Sequence, residues 1–346
     1  MTRDAAIAEL PARVRSALRQ RWPEAEVGRL EPLPGGISSL TFSTSLTGAG
    51  GADRPVVVKV APPGLEPVRN RDVLRQARVI AAVHGAPGVL VPEVLVTDAG
   101  APPFFVMAFV PGQAYEPKWD VSDVPPSPAV VAARARAAGR MLARLQAVEP
   151  VSVGVTDPAL TLAEEVERWA ALFATAGDDL RGNEAELRDA LVTRTPAPTP
   201  PGGNRILHGD YRLGNIQFEG RQPAAIIDWE IWSVGDPRMD LAWLMAFTDP
   251  VQQRVATRDA PNQAAADAMP SATEVLAAYQ DEAGIDDAPA DLDWFQAFSY
   301  YKLGAAMSVL CKRNRRQPEP DPGLELAART LPAALARGLE LVTARR

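Results

Sequence analysis

Apolar residues recur along this chain at two periods, and the change from one to the other divides it. Ile7, Leu10, Val14 and Leu18 fall on one face of a helix over residues 4–21, which Pro11 bends or delays. The pattern then alternates up to about residue 110. Residues 40–46 and 56–60 read as strands joined by the hairpin loop Gly48-Ala49-Gly50-Gly51-Ala52-Asp53. In the second strand Val57 and Lys59 face one way, and Val56, Val58 and Val60 the other. A helix over residues 70–83 follows, with Val73, Ala77, Ile80 and Ala81 on one side. Residues 94–96 and 104–110 read as two further strands, stopped by Pro111-Gly112.

Beyond the irregular, proline-rich residues 113–127 the helical period dominates. Residues 128–148 carry Val131, Ala135, Ala138, Leu142 and Leu145 on one face, the expected core helix of this half. Helices are also expected over 162–173, 184–191, 273–283, 294–310 and 324–344, the last broken or started at Pro332. The loop of residues 195–203 feeds Arg205-Ile206-Leu207 in as a strand. Residues 249–270 are rich in Ala, Gln and Asp with little periodicity, and read as an exposed insertion on the substrate side. The class is α+β, with a small antiparallel sheet unit over residues 1–110 and a larger, mainly helical unit over 111–346. No internal repeat is visible.

Composition narrows the chemistry. A chain of 346 residues suits two lobes. With 47% apolar and 23% charged residues it reads as a soluble globular protein, and a net charge of −7 argues against a nucleic-acid partner. No apolar run reaches membrane-spanning length, and the first residues lead into a charged amphipathic segment, so a cytoplasmic protein is expected. Cys311 stands alone, which rules out an internal disulfide. The only histidines are His84, in a Gly/Pro-rich turn, and His208. A His-rich metal centre is therefore excluded, and a metal would be held by oxygen, which suits Mg²⁺.

The informative stretch is His208-Gly209-Asp210-Tyr211-Arg212-Leu213-Gly214-Asn215, followed by Ile226-Ile227-Asp228-Trp229-Glu230. Alone, each of Asp210, Asn215 and Asp228 would read as a turn or cap residue. Together, an Asp, an Asn five positions later and a second Asp at the end of an apolar run match what phosphoryl transfer needs. Asp210 takes a hydroxyl proton, and Asn215 and Asp228 hold Mg²⁺ on a nucleotide, ATP or GTP. Gly209 and Gly214 supply the tight turn between them. Upstream, Pro34-Gly35-Gly36-Ile37-Ser38 precedes the lysine-bearing strand. Gly35, Gly36 and Ser38 would let backbone amides approach phosphates, and Lys59 beneath them would contact the nucleotide. Arg212 either touches the γ-phosphate or pairs with an acid.

These residues, with Gly235-Asp236-Pro237-Arg238-Met239-Asp240-Leu241-Ala242, resemble the aminoglycoside phosphotransferase family from about residue 33 to 315. The branch most similar is the one found fused to, or beside, acyl-CoA dehydrogenases. The resemblance implies a protein-kinase-like two-lobed fold and an O-phosphotransferase acting on a hydroxyl of a small molecule. It also implies a hinge where Met107, Ala108 and Phe109 meet the adenine edge, and an Asp240 that braces the catalytic loop. His208 would shape that loop by hydrogen bonding. The family's helix glutamate, partner of the strand lysine, aligns with the uncharged Gln76, leaving Asp72 as the other candidate. A protein kinase is disfavoured by Gly209 in place of Arg, Trp229-Glu230 in place of Phe-Gly, and the lack of A-P-E. A hydrolase would lack a nucleophile–His–acid set. The remaining alternative is a nucleotide-binding pseudokinase or scaffold without transfer.

Overall fold

The computed structural model describes residues 3–33, 39–252 and 258–344. The first half is a six-stranded antiparallel sheet. Its strands are β1 (Glu26–Val27), β2 (Glu31–Pro32), β3 (Leu40–Thr47), β4 (Arg54–Val60), β5 (Val94–Asp98) and β6 (Phe104–Ala108). The order is β1-β3-β4-β6-β5, with β2 also on β3. Helix α1 (Arg3–Arg21) covers one face. Its Leu10, Val14 and Leu18 pack with Val56, Val58 and Val60 of β4 and Phe104 and Val106 of β6. That is the three-valine side expected from alternation. The opposite face turns Lys59 and Phe105 toward the interior. There α2 (Val73–Val83) packs, and the core runs without interruption into the helical half.

The helical half contains α3 (Pro128–Gln146), α4 (Leu162–Phe173), α5 (Glu184–Thr193), α6 (Arg238–Ala246), α7 (Ala260–Asp267), α8 (Ala272–Ala283), α9 (Leu292–Asn314) and α10 (Pro322–Thr343). Helices α4 and α8 start at capping boxes, Thr161 with Glu164 and Ser271 with Glu274, which satisfy amide donors the helix cannot. Apolar residues surround α9 on all sides. It is buried accordingly, between α4, α5, α6 and α10, with Trp294, Phe295, Phe298 and Tyr301 inside. Two short antiparallel pairings carry the loops between these helices. Strand β7 (Arg205–Leu207) pairs with β10 (Ser233–Gly235), and β8 (Ile216–Glu219) with β9 (Gln222–Ile226).

Three expectations change. Helix α2 begins at Val73, because the Asp72 side chain accepts the Arg75 N–H at 2.9 Å and caps it. Residues 249–270 are not a featureless exposed insertion. Within them α7 buries Asn262, Ala265 and Ala266, an i, i+3, i+4 face, and Asn262 bonds Tyr115 and Ser122. Alanine and asparagine hide that face from a search for apolar periodicity; residues 253–257 lie outside the described ones. Helix α10 runs through Pro332 without interruption. No helix among the described residues is long and apolar enough to cross a membrane.

Candidate active site

The β-pairings set the site. Ser233 pairs with Leu207, so β7 ends where the 208–215 loop begins. Ile216 pairs with Ile226, and Ile227 donates its N–H to Asn215 O at 2.9 Å. Antiparallel register therefore lays Asn215 beside the residues leading to Asp228. The loop between turns at Gly209, whose φ is +84°. A Cβ there would lie 2.5 Å from Ile231 O, so no other residue fits without moving backbone. Gly214 does not use left-handed backbone; its close neighbours are the Arg212 guanidinium and the Glu116 side chain.

The loop is held by buried polar contacts. Asp240, in the first turn of α6, accepts the His208 N–H at 2.6 Å and the Gly209 N–H at 3.0 Å. Burial pushes the Asp240 carboxyl above its ordinary range, against the pull of His208, Lys302 and these two amides. His208 Nε2 lies 2.8 Å from Ile227 O, and Nδ1 accepts the Asp210 N–H at 3.2 Å. A carbonyl only accepts, so Nε2 carries a proton, and the ring links loop to strand. Tyr211 ties the loop to α3 through Ala138 O at 2.9 Å.

Asp210 receives three side-chain donors. Trp243 Nε1 reaches Oδ1 at 2.9 Å, while Asn215 Nδ2 and Arg212 Nε reach Oδ2 at 2.7 and 3.3 Å. The Asn215 amide also donates to Asp210 O at 2.8 Å. Both neighbours on that side are acceptors, so the NH₂ faces Asp210 and Oδ1 points elsewhere. Asp228 adopts φ +63°, a left-handed conformation uncommon outside glycine and found disproportionately at functional sites. Its Oδ1 pairs with Lys59 Nζ at 2.7 Å. Burial would raise the Asp228 carboxyl, but the adjacent Lys59 ammonium outweighs it and holds the group below its ordinary value. The free oxygens of Asn215 and Asp228 are hard donors. They suit Mg²⁺, which keeps waters and takes one or two carboxylates beside phosphate. No cage of three or more His, Cys, Asp or Glu exists among the described residues.

The structure thus unites Lys59, Asp210, Asn215 and Asp228. Gly35, Gly36 and Ser38 lie outside the described residues. Met107 is half-buried in β6 and Phe109 is exposed just past it. The Ala108 and Phe109 N–H groups already donate to Glu93 O and Pro55 O, at 2.9 and 3.3 Å. Neither proposed acid substitute meets Lys59. Asp72 caps α2, and the buried Gln76 donates to Asn70 O with its Oε1 unpartnered.

Three contributors were not foreseen. Glu116, from the irregular 113–127 stretch, is fully buried; it accepts the Gly214 N–H at 3.2 Å and faces Arg212 at 3.7 Å. Burial pushes its carboxyl up to about 7 despite Arg212 and the amide. Arg212 is therefore paired with acids, and it lies 4.9 Å from the Trp119 ring centre and 5.7 Å from that of Phe247. Lys302, inside α9, donates to Gly209 O, and Trp243 holds Asp210. A charged residue inside an apolar helix was the available signal for Lys302.

A curled antiparallel sheet joined to a helical lobe, with lysine, two aspartates and an asparagine where the two meet, defines a kinase-like phosphotransferase fold. The model of the phosphotransferase enzyme family matches residues 29–295, and the chain belongs to that family. A crystal structure from Ralstonia eutropha, designated an aminoglycoside phosphotransferase, superposes with a TM-score of 0.70 at 21% identity, covering 97% of this chain and 98% of that one. The ternary complex of a thermostable mutant of aminoglycoside phosphotransferase APH(4)-Ia with ADP and hygromycin B gives 0.60 at 15% identity, over 94% and 98%. Mouse acyl-CoA dehydrogenase family member 10 is 25% identical over 279 residues, 76% of this chain. The chain spans only 25% of that relative's length.

Proposed function

We propose that this phosphotransferase moves the γ-phosphoryl group of ATP, or GTP, to a hydroxyl of a small molecule, with Mg²⁺ bound. The observation that carries the proposal is the convergence of Asp210, Asn215 and the Lys59-paired Asp228 on one loop and hairpin. The ADP bound in APH(4)-Ia, on the same fold, supports a nucleotide here. Residues 1–110 form the nucleotide lobe and 111–346 the catalytic and acceptor lobe. Lys59, Met107, Phe109 and the Gly35-Gly36, Ser38 loop bind nucleotide. Asn215 and Asp228 hold the metal, which supplies charge neutralisation on the phosphates. Asp210 orients the acceptor hydroxyl and takes its proton. Its Asn215 and Arg212 donors hold the carboxylate in place. The setting is cytoplasmic.

Gln76, in place of an acid, favours a second reading: nucleotide binding without transfer. ADP release measured over a panel of small hydroxyl compounds separates the two. The wild type should release ADP only with magnesium, and Asp210→Asn should lower the rate by about 10²–10⁴, the usual share of a positioned base. Equal rates in both would remove Asp210 from the chemistry.

A further inference from the structure

We infer that Trp243 is a positioning residue that selects which oxygen of Asp210 receives the acceptor's proton; the inference rests on Asp210 being the base. A carboxylate offers about four lone-pair positions, two on each oxygen. On Oδ2 both are filled, by Asn215 at 2.7 Å and Arg212 at 3.3 Å. On Oδ1 one is filled, by Trp243 at 2.9 Å. Among the described residues the unfilled position lies on Oδ1, and 26% of the side chain is exposed. The hydroxyl proton passes to Oδ1 as the acceptor oxygen bonds the γ-phosphorus. The bond from that phosphorus to the bridging oxygen breaks, and nucleoside diphosphate leaves with the electron pair.

The indole has a defined seat. Trp243 is buried on α6, one turn beyond Asp240, so the helix that holds the loop's amides also holds its carboxylate. Lys302 Nζ lies 4.3 Å from the ring centre while donating to Gly209 O. A cation near the indole face draws electron density from the ring and makes its N–H a stronger donor. Phe247 packs against the same ring, with centroids 5.3 Å apart. Without the indole N–H only Oδ2 is tethered, and the carboxylate is free to turn its open lone pair away from the acceptor.

Two measurements test this. The chain has seven tryptophans, each giving one indole correlation in a ¹⁵N-labelled sample. The correlation lost in Trp243→Phe identifies Trp243, and in Asp210→Ala it should move upfield; an unmoved correlation overturns the inference. The second variant, Trp243→3-benzothienylalanine, keeps the ring shape but lacks the N–H. Its kcat for ADP release, with the panel compound giving the highest rate, should fall about 10- to 100-fold. The KM for ATP should stay within about twofold and the thermal midpoint should match wild type. A wild-type kcat in this variant also overturns the inference. If the wild type itself releases no ADP, the phosphotransfer reading fails. The indole shift then still decides whether Trp243 holds Asp210.

Discussion

Replacing Asp240 by Asn tests whether a buried acid holds the catalytic loop in shape. The wild-type carboxylate accepts two buried amides, His208 N–H at 2.6 Å and Gly209 N–H at 3.0 Å. Hydrogen bonds to a charged group contribute about 1.5–3 kcal/mol each, and a buried donor left unpaired costs about 1–3 kcal/mol. An asparagine keeps one acceptor oxygen but turns an NH₂ toward the second amide, so one bond is lost and the other weakened. Lys302, which lines the same small pocket as Asp240, loses the largest of its compensating negative charges and keeps those of Glu165 and Asp210. The sum is about 3–5 kcal/mol.

Urea unfolding followed by tryptophan fluorescence measures this as a lower midpoint at unchanged slope. Lys302→Met should destabilise less, because Asp240 retains both amides. In the double variant the buried cation is absent along with its partner. Its loss should therefore fall short of the two single losses added together, by about 1–2 kcal/mol. An Asp240→Asn midpoint equal to wild type would refute the bracing role. Strict additivity in the double variant would refute the coupling to Lys302.

Glu116 predicts a pH dependence. The folded chain holds its proton up to about 7, while the unfolded chain releases it near 4.5. The native state binds the extra proton between those values, so stability falls as pH rises through that window, by on the order of 3 kcal/mol. Glu116→Gln cannot ionise. Its urea midpoint should drop less than that of wild type between pH 5 and pH 8, and parallel drops would dismiss the buried acid as the cause. Gly209→Ala should cost about 1–3 kcal/mol from left-handed backbone alone, plus the displacement of Ile231 O. Calorimetry together with ADP release should find both stability and turnover reduced.

What the sequence carried legibly was local. Asp210 and Asn215 sit five residues apart on one turn, and Asp228 follows a short apolar run that pairs next to Asn215. The alternation of β4 separated Val56, Val58 and Val60, which pack with α1, from Lys59 on the other face. What stayed illegible was the pairing across long separations. Lys59 meets Asp228 over 169 residues, Glu116 meets Gly214 over 98, and Lys302 meets Gly209 over 93. No spacing rule reaches that far. Asp72 does not serve Lys59 for a local reason: its side chain caps α2.

One signal did reach across those distances, and it is energetic instead of periodic. Asp240 and Lys302 each interrupt an apolar helix, where an unpaired charge costs several kcal/mol. Two such residues of opposite sign, on α6 and α9, imply a shared buried polar region before any contact is known. The structure puts that region directly beneath Gly209, the one residue of the loop whose backbone is left-handed and shielded from a Cβ by Ile231 O. The tight turn and the charges supporting it are thus parts of one arrangement. The loop can hold Asp210 against three donors only because its own backbone polar groups are satisfied from below.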